Sequence, residues 1–507
     1  MKATPWDIDA ELTPSARLAI ELLASGGDGR IVLDSKTALN RYMSAPYPRR
    51  ALAFASSTAN DIRPEAFRHV TAIVEQGVGD YARRLASLNK RIHRAYGLGA
   101  ECRIVFAPSG TDLEYVALAA VLHRQSGGIH NVLLGADEVG RGCLHSANGR
   151  YFAGETATGF AAEAGKVVEG LEQVTLADIP VRCADGRART GGEIVDAVRM
   201  EIERARTEGK HALIHVVHGS KTGLILPQSS DLDRLEAEFG DAFTVVVDAC
   251  QARISSAAVR DYIARGAMVF LTGSKFMGGP PFSGFALVPA AMMEAAAPLP
   301  AGFATIFRRA EWPARWPGTN ILPGTDNPGL ALRLEASIFE LERFQSLRRE
   351  AVERVILLFQ EALANTLLVP FAFSLVPPYP GEAEEEALRH PREMLTLATL
   401  DISAIPCGET FADAEELHRA LAMAGVRLGQ PVKSVRNPGG EWAGTLRVGL
   451  SMGQIHDYAK LPEAEQYDAL AADLGQVAAA IERAVAHFSA RKSGRRSKPR
   501  RPVRRQG

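Results

Sequence analysis

The chain has 507 residues, 46% hydrophobic and 23% charged, with 46 Gly, 28 Pro and 5 Cys. Its length fits roughly two to four domains of about 100–200 residues, and its composition is that of a soluble globular protein, which excludes collagen-like, low-complexity and disulfide-scaffold classes. The formal net charge of -1 hides an asymmetry, because nine Lys and Arg and no acid fall in the last seventeen residues; the body of the chain is therefore acidic and offers no basic face to nucleic acid.

The N-terminal stretch carries Asp7, Asp9 and Glu11 where a secretory signal needs a basic start and an apolar run. No uninterrupted apolar run approaches the ~18 residues of a membrane span. Cys102, Cys143, Cys183, Cys250 and Cys407 form no CxxC pair, a pattern of reduced thiols in a cytoplasmic protein, with no disulfide framework and no metal site.

In chain order, a helix is expected over Ser15–Leu23, followed by an irregular arm closed by Pro46 and Pro48. Compact Val/Ile/Leu runs at Arg103–Phe106, Asn131–Leu134, Leu213–Val217, Thr244–Val247 and Met268–Leu271 read as strands buried on both faces of a parallel sheet. Between them Asp112–Leu122, Gly192–Thr207 and Ser230–Phe239 have helical spacing. This alternation predicts an α/β fold: a mostly parallel sheet with helices on both faces. The Pro- and Trp-rich connector Trp312–Pro328 leads into a helical run from Leu330 to about Ala364. A smaller α+β unit follows, with strands at Met394–Ile402, Val426–Leu428 and Thr445–Leu450 and helices at Ala412–Ala424 and Glu463–Phe488. The expected division is an N-terminal segment and arm (1–59), a large domain (60–330), a linking helix with a small C-terminal domain (331–490), and a basic tail (491–507). The tail has almost nothing apolar to offset its ordering entropy and is expected to be disordered, with a loose contact to anionic partners as its minority role.

Three short motifs carry chemistry. Ser109-Gly110-Thr111-Asp112 joins a strand end to a helix start, where free backbone N–H groups, two hydroxyls and the positive end of the helix suit a phosphate. Asp248 ends the apolar strand Thr244–Val247 and Gln251 follows three residues on, at the sheet edge where ligands of open α/β sheets bind. Lys275 sits among Thr272, Gly273, Ser274 and then Gly and Pro, surroundings that desolvate an ammonium and favour a nucleophilic amine. Each alone is common: an N-cap, a helix-capping Asp, an ordinary lysine.

Their order and spacing together resemble the fold-type-I pyridoxal-phosphate enzymes, in particular the class V aminotransferase branch with alanine–glyoxylate aminotransferases and cysteine desulfurases, over about residues 100–460. Two further segments are similar to that branch: His218-Gly219-Ser220-Lys221-Thr222-Gly223, a loop beside the cofactor ring that is one residue shorter here, and the strand Thr445–Ser451 with Arg447. The resemblance implies pyridoxal 5'-phosphate as cofactor, Lys275 as the Schiff-base lysine, Asp248 at the pyridine nitrogen, and Gln251 and Ser220 as ring contacts. It also implies Ser109, Gly110, Thr111, Thr272 and Ser274 at the phosphate, Arg447 at the substrate carboxylate, and Thr325 reaching a partner's phosphate across a homodimer. The family's ring-stacking aromatic or His is missing, leaving Val139 or His145 for that place. No cysteine lies in Gly425–Arg447, where a desulfurase nucleophile is expected. The implied activity is an aminotransferase acting on a small α-amino acid and oxo acid pair. The alternatives are a lyase or a C–C or C–N bond-forming enzyme on the same cofactor, and a non-catalytic binding module.

Overall fold

A computed structural model of the chain describes residues 12–378 except 137 and 141, and residues 392–496. The first helix, Pro14–Leu23, is capped by Thr13, whose hydroxyl accepts from Ala16 N. The strands in chain order are β1 (Leu52–Phe54), β2 (Cys102–Ala107), β3 (Ile129–Leu134), β4 (Val174–Ile179), β5 (His211–His218), β6 (Ile225–Leu226) and β7 (Phe243–Asp248), then β8 (Met268–Thr272), β9 (Gly284–Pro289), β10 (Ser374–Leu375), β11 (Leu397–Asp401), β12 (Val426–Leu428) and β13 (Thr445–Gly449).

The large sheet has the order β2-β9-β8-β7-β5-β3-β4, with β6 hairpinned onto β5. Contacts from β8 through β4 are parallel, while β9 runs antiparallel to both neighbours. The strands are apolar throughout because both faces are covered. Alternate residues serve opposite cores: Val269 and Leu271 of β8 join Val245 and Val247 on one face, under Ile194, Val198, Leu232 and Val259 from the helices Gly191–Thr207, Ser229–Phe239 and Ser256–Ala264. Met268 and Phe270 join Val246 on the other face, under the helix Leu113–Val121 and Trp312 and Trp316. The expected mostly parallel α/β sheet is therefore observed.

The C-terminal unit holds the antiparallel sheet β10-β11-β13 and the helices Phe411–Met423, Met452–Lys460 and Glu463–Arg496. The run expected as one helix from Leu330 to Ala364 is two, Pro328–Gln345 and Arg349–Leu363. By length and composition the stretch Arg349–Phe371 could cross a membrane, but Val355, Ile356, Phe359, Ala362 and Leu363 are buried in the main core together with Leu470, Leu474 and Val477 of the last helix. That helix continues to Arg496, six residues into the basic tail; residues 497–507 lie outside the described ones, as do residues 1–11. The arm before residue 59 is tied to the C-terminal unit, because β1 pairs with β12 and Ala55 bridges Gly449. All five cysteines are free thiols.

Candidate active site

The site lies at the carboxyl edge of the large sheet, where β2, β7 and β8 end beside one another or across β9. After β2, the turn Ser109–Asp112 closes with Asp112 N donating to Ser109 O at 3.1 Å, and the helix Leu113–Val121 starts. Gly110 keeps this approach close: a Cβ would come 3.0 Å from Thr272 Cγ2 and 3.2 Å from Cys250 Sγ, so those side chains would have to give way. Ser109 Oγ and Asp112 Oδ2 are 2.5 Å apart. Burial pushes the Asp112 carboxyl up to about 6.

Asp248, the last residue of β7, is opposite Val217 of β5 and Phe270 of β8. Its Oδ1 accepts from Cys250 N at 3.0 Å, and no cation pairs with it among the described residues. On the same sheet face lie two fully buried groups, His215 of β5 and Glu114 of the helix Leu113–Val121, with Nε2 and Oε2 3.2 Å apart. Burial drives Glu114 well up and His215 down to about 4, disfavouring the charged form of each.

Lys275 follows β8 on a half-buried turn, and its ammonium makes no hydrogen bond or ion pair among the described residues. Its backbone is held instead: Asn60 Nδ2 donates to the carbonyls of Ser274 (3.0 Å) and Lys275 (2.7 Å). The charges of Asp248 and Lys275 both reach the buried thiols of Cys143 and Cys250. Both side chains are thus within electrostatic reach of the same two thiols.

Arg447 of β13 is 1% exposed and donates only to backbone carbonyls, Gln430 O at 2.7 Å and Ser57 O and Lys221 O at 3.4 Å. Burial lowers its pKa to about 10, opposed by the Glu138 charge. No carboxylate pairs with it among the described residues, so it is a buried cation short of a counter-ion. Ser57 O also accepts from Gln251 Nε2 at 3.3 Å, and Arg253 Nη1 donates to Gln251 Oε1 at 3.1 Å. Arg253 is fully buried and stacked on Phe276, so Gln251 is fixed from both ends.

Two expected contacts have their hydroxyls committed elsewhere. Ser220 Oγ donates to Glu138 Oε2 at 2.8 Å; Glu138 also takes Arg182 Nε at 2.8 Å and Thr222 Oγ1 at 3.0 Å. Burial would raise Glu138, but the Arg182 charge and the Ser220 hydrogen bond hold it low. Thr272 Oγ1 donates to Cys250 O at 2.7 Å, tying the turn after β7 to β8. Ser274 is half-buried beside Lys275. Val139 is buried next to Glu138, whose carbonyl accepts from Lys221 N at 3.2 Å, whereas His145 is exposed on the short helix Cys143–Ser146 and faces Gly165. Thr325 is exposed in the loop before Pro328. Sequence reasoning missed Ser57, Asn60 and Arg253. The partners of Ser57 and Asn60 lie 194–215 residues away, and Arg253 reaches Thr396, Ser56 and Leu450 as well as Gln251, so no local spacing marks them.

No family model and no curated protein matches the chain. Solved structures do. A NifS-like protein superposes with a TM-score of 0.51 at 13% identity, covering 84% of this chain and 99% of that one. A cysteine desulfurase from Thermococcus onnurineus NA1 gives 0.51 at 15% identity, over 84% and 94%, and the cysteine desulfurase CsdA from Escherichia coli gives 0.53 at 14%, over 85% and 95%. At these identities the likeness is one of architecture: the chain has the fold of the fold-type-I pyridoxal-phosphate enzymes, the class its motifs resemble.

Proposed function

We propose that the protein is a pyridoxal 5'-phosphate-dependent enzyme, an aminotransferase that moves an amino group between a small α-amino acid and an oxo acid. The observation that carries the reading is the pairing of an uncompensated acid, Asp248, with an unpartnered amine, Lys275, at the ends of adjacent strands. The residues present fit the cofactor. Gly110 bares its backbone amide at a helix start, Asp248 is an anion in search of a cationic N–H, and Arg447 is a cation in search of a carboxylate.

Ser109, Gly110 and Thr111 would hold the phosphate, Asp248 the pyridine nitrogen, Lys275 the aldehyde carbon, and buried Val139 would pack on the ring. When bound, the cofactor supplies a ring that accepts electron density from the substrate α-carbon. Asp248 keeps a proton on the ring nitrogen, since a nearby carboxylate favours the charged form. The Lys275 amine would take the proton from the substrate α-carbon and hand it to the carbon of the cofactor's aldehyde group. Arg447 binds the α-carboxylate through a planar fork that a lysine cannot reproduce, and Gln251 and Ser57 hold the wall from which Arg447 projects. Thr325, exposed on its loop, would complete the site of a second copy in a homodimer. Five free thiols suit a reducing, cytoplasmic compartment.

A lyase or bond-forming reaction on the same cofactor is the second reading. It is favoured by the commitment of Ser220 to Glu138 and by Val139 in place of an aromatic or His beside the ring. The discriminating experiment incubates the holoenzyme with single amino acids. Conversion of the cofactor to its pyridoxamine form, reversed by an oxo acid, supports amino transfer. Substrate consumption without pyridoxamine assigns the second reading.

A further inference from the structure

Arg333, fully buried on the helix Pro328–Gln345, fastens the N-terminal segment to the site. Its Nε donates to Phe282 O at 2.7 Å, its Nη1 to Leu23 O at 3.0 Å and Ser25 O at 2.5 Å, and its Nη2 to Gly26 O at 3.2 Å. Asn327 Nδ2 adds a bond to Gly26 O at 2.9 Å. Gly27 then approaches Phe282 so closely that a Cβ would lie 2.7 Å from its ring. The chain turns at Asp28, and Arg30 is delivered to the Ser109–Thr111 loop.

The Arg30 guanidinium is over-determined. Its faces are covered by Phe152 and Phe282, with ring centroids 4.8 and 4.6 Å away. One edge is forked onto Asp28, Nε at 2.9 Å from Oδ1 and Nη2 at 2.7 Å from Oδ2. Burial works against the charge, and the Asp28 hydrogen bonds more than restore it. The remaining edge points at the turn, Nη1 at 3.4 Å from Thr111 Oγ1 and Nη2 at 3.3 Å from Ser109 Oγ. These contacts are longer than ordinary N–H···O bonds. The two hydroxyl oxygens accept from the guanidinium only at long range, so its outer N–H groups remain open to a stronger acceptor such as an anion.

A phosphate monoester is close to a dianion at neutral pH, yet Ser109, Gly110 and Thr111 are neutral, Thr272 has spent its proton on Cys250, and Lys275 serves the other end of the cofactor. We propose that Arg30, carried in by the N-terminal segment, is the cation that anchors the cofactor phosphate and makes the site select the phosphorylated cofactor over pyridoxal. This rests on the pyridoxal-phosphate reading above. Ser109 Oγ donates to Asp112 Oδ2 at 2.5 Å, which leaves the Arg30 guanidinium as the charged donor at this turn. Order in residues 23–31 is thereby coupled to cofactor retention, with Arg333 as the positioning residue.

The test titrates apo-protein with pyridoxal 5'-phosphate, with pyridoxal and with inorganic phosphate, for the wild type, Arg30→Gln and Arg30→Lys. Absorbance reads cofactor binding, thermal shift reads phosphate binding, and circular dichroism checks folding. Losing the charge-assisted fork should weaken pyridoxal 5'-phosphate about 10–100-fold in Arg30→Gln. Pyridoxal binding should be unchanged, the phosphate-induced thermal shift should vanish, and Arg30→Lys should fall between. Equal weakening of both aldehydes, or of neither, overturns the assignment and makes Arg30 a strut of the N-terminal segment. If the wild type binds pyridoxal 5'-phosphate no better than bovine albumin and borohydride fixes none of it at Lys275, it is the cofactor reading that has failed. Should Arg30→Gln not fold, Asp28→Asn, which keeps the guanidinium and removes its competing anion, must tighten pyridoxal 5'-phosphate relative to pyridoxal; no change there also overturns the proposal.

Discussion

Replacing Arg447 by lysine keeps a positive charge on β13 and removes the planar fork. In the folded protein the guanidinium is 1% exposed and has only carbonyl partners, so its free N–H groups are desolvated and meet a substrate carboxylate at little further cost. Two charge-assisted bonds at ~1.5–3 kcal/mol each amount to ~3–6 kcal/mol, or a factor of ~10²–10⁴ in the rate constant for an amino acid at low concentration. A lysine ammonium recovers one bond at best, so Arg447→Lys should lose about 10²-fold. The assay is the single-turnover conversion of the bound cofactor by an α-amino acid, set against the amine of the same side chain lacking the carboxylate. The wild type should prefer the amino acid strongly, and the variant should lose that preference while reacting with the amine at the wild-type rate. Equal slowing for both compounds would show that Arg447 supports the wall built from Ser57 and Gln430 and does not bind substrate.

Glu311 is fully buried, accepts from Tyr81 Oη at 2.9 Å and Arg308 N at 2.8 Å, and burial pushes it up to about 7. An acid with a raised folded pKa binds more protons folded than unfolded, so its contribution is fully present below the ordinary carboxyl range and is lost as pH rises toward 7; denaturant melts from pH 5 to 8 should fall in stability, and Glu311→Gln should flatten the slope. Ser220→Ala removes a bond to Glu138 and should cost about 1–2 kcal/mol of stability while leaving the absorbance of the bound cofactor unchanged; a changed spectrum would restore Ser220 as a ring contact. With L-cysteine as substrate the enzyme should release no sulfide, although its structural relatives include cysteine desulfurases. Cys407 is 0% exposed and no cysteine lies between Gly425 and Arg447, so turnover to sulfide with reductant present would contradict this.

The strands that position the site were legible because they are buried on both faces: β2, β3, β5, β7 and β8 stand within one or two residues of the apolar runs. The strand β4 was not, since it lies at the sheet edge with a half-exposed, mixed pattern. Nor was β9, a short apolar stretch between Gly284 and Pro289 that runs against its neighbours. The proposed pair stood out in the spacing along the chain, because Asp248 ends β7 and Lys275 follows β8. What the spacing could not reveal is where a hydroxyl sends its proton. Thr272 and Ser220 have the right residue type in the right place, and the carbonyl of Cys250 and the carboxylate of Glu138 claim them. The N-terminal contributions of Ser57 and Asn60 were hidden for a different reason: their partners are carbonyl oxygens and distant side chains with no local signature.

In the proposed site a single cofactor bridges the acid at the end of β7 and the amine after β8. Reconstituting the protein with pyridoxal 5'-phosphate, reducing it with borohydride and mapping the peptides tests this most directly. The label should fall on the peptide containing Lys275, disappear in Lys275→Ala, and show an altered absorbance before reduction in Asp248→Asn. A label on another lysine, or a spectrum indifferent to Asp248, would contradict the account.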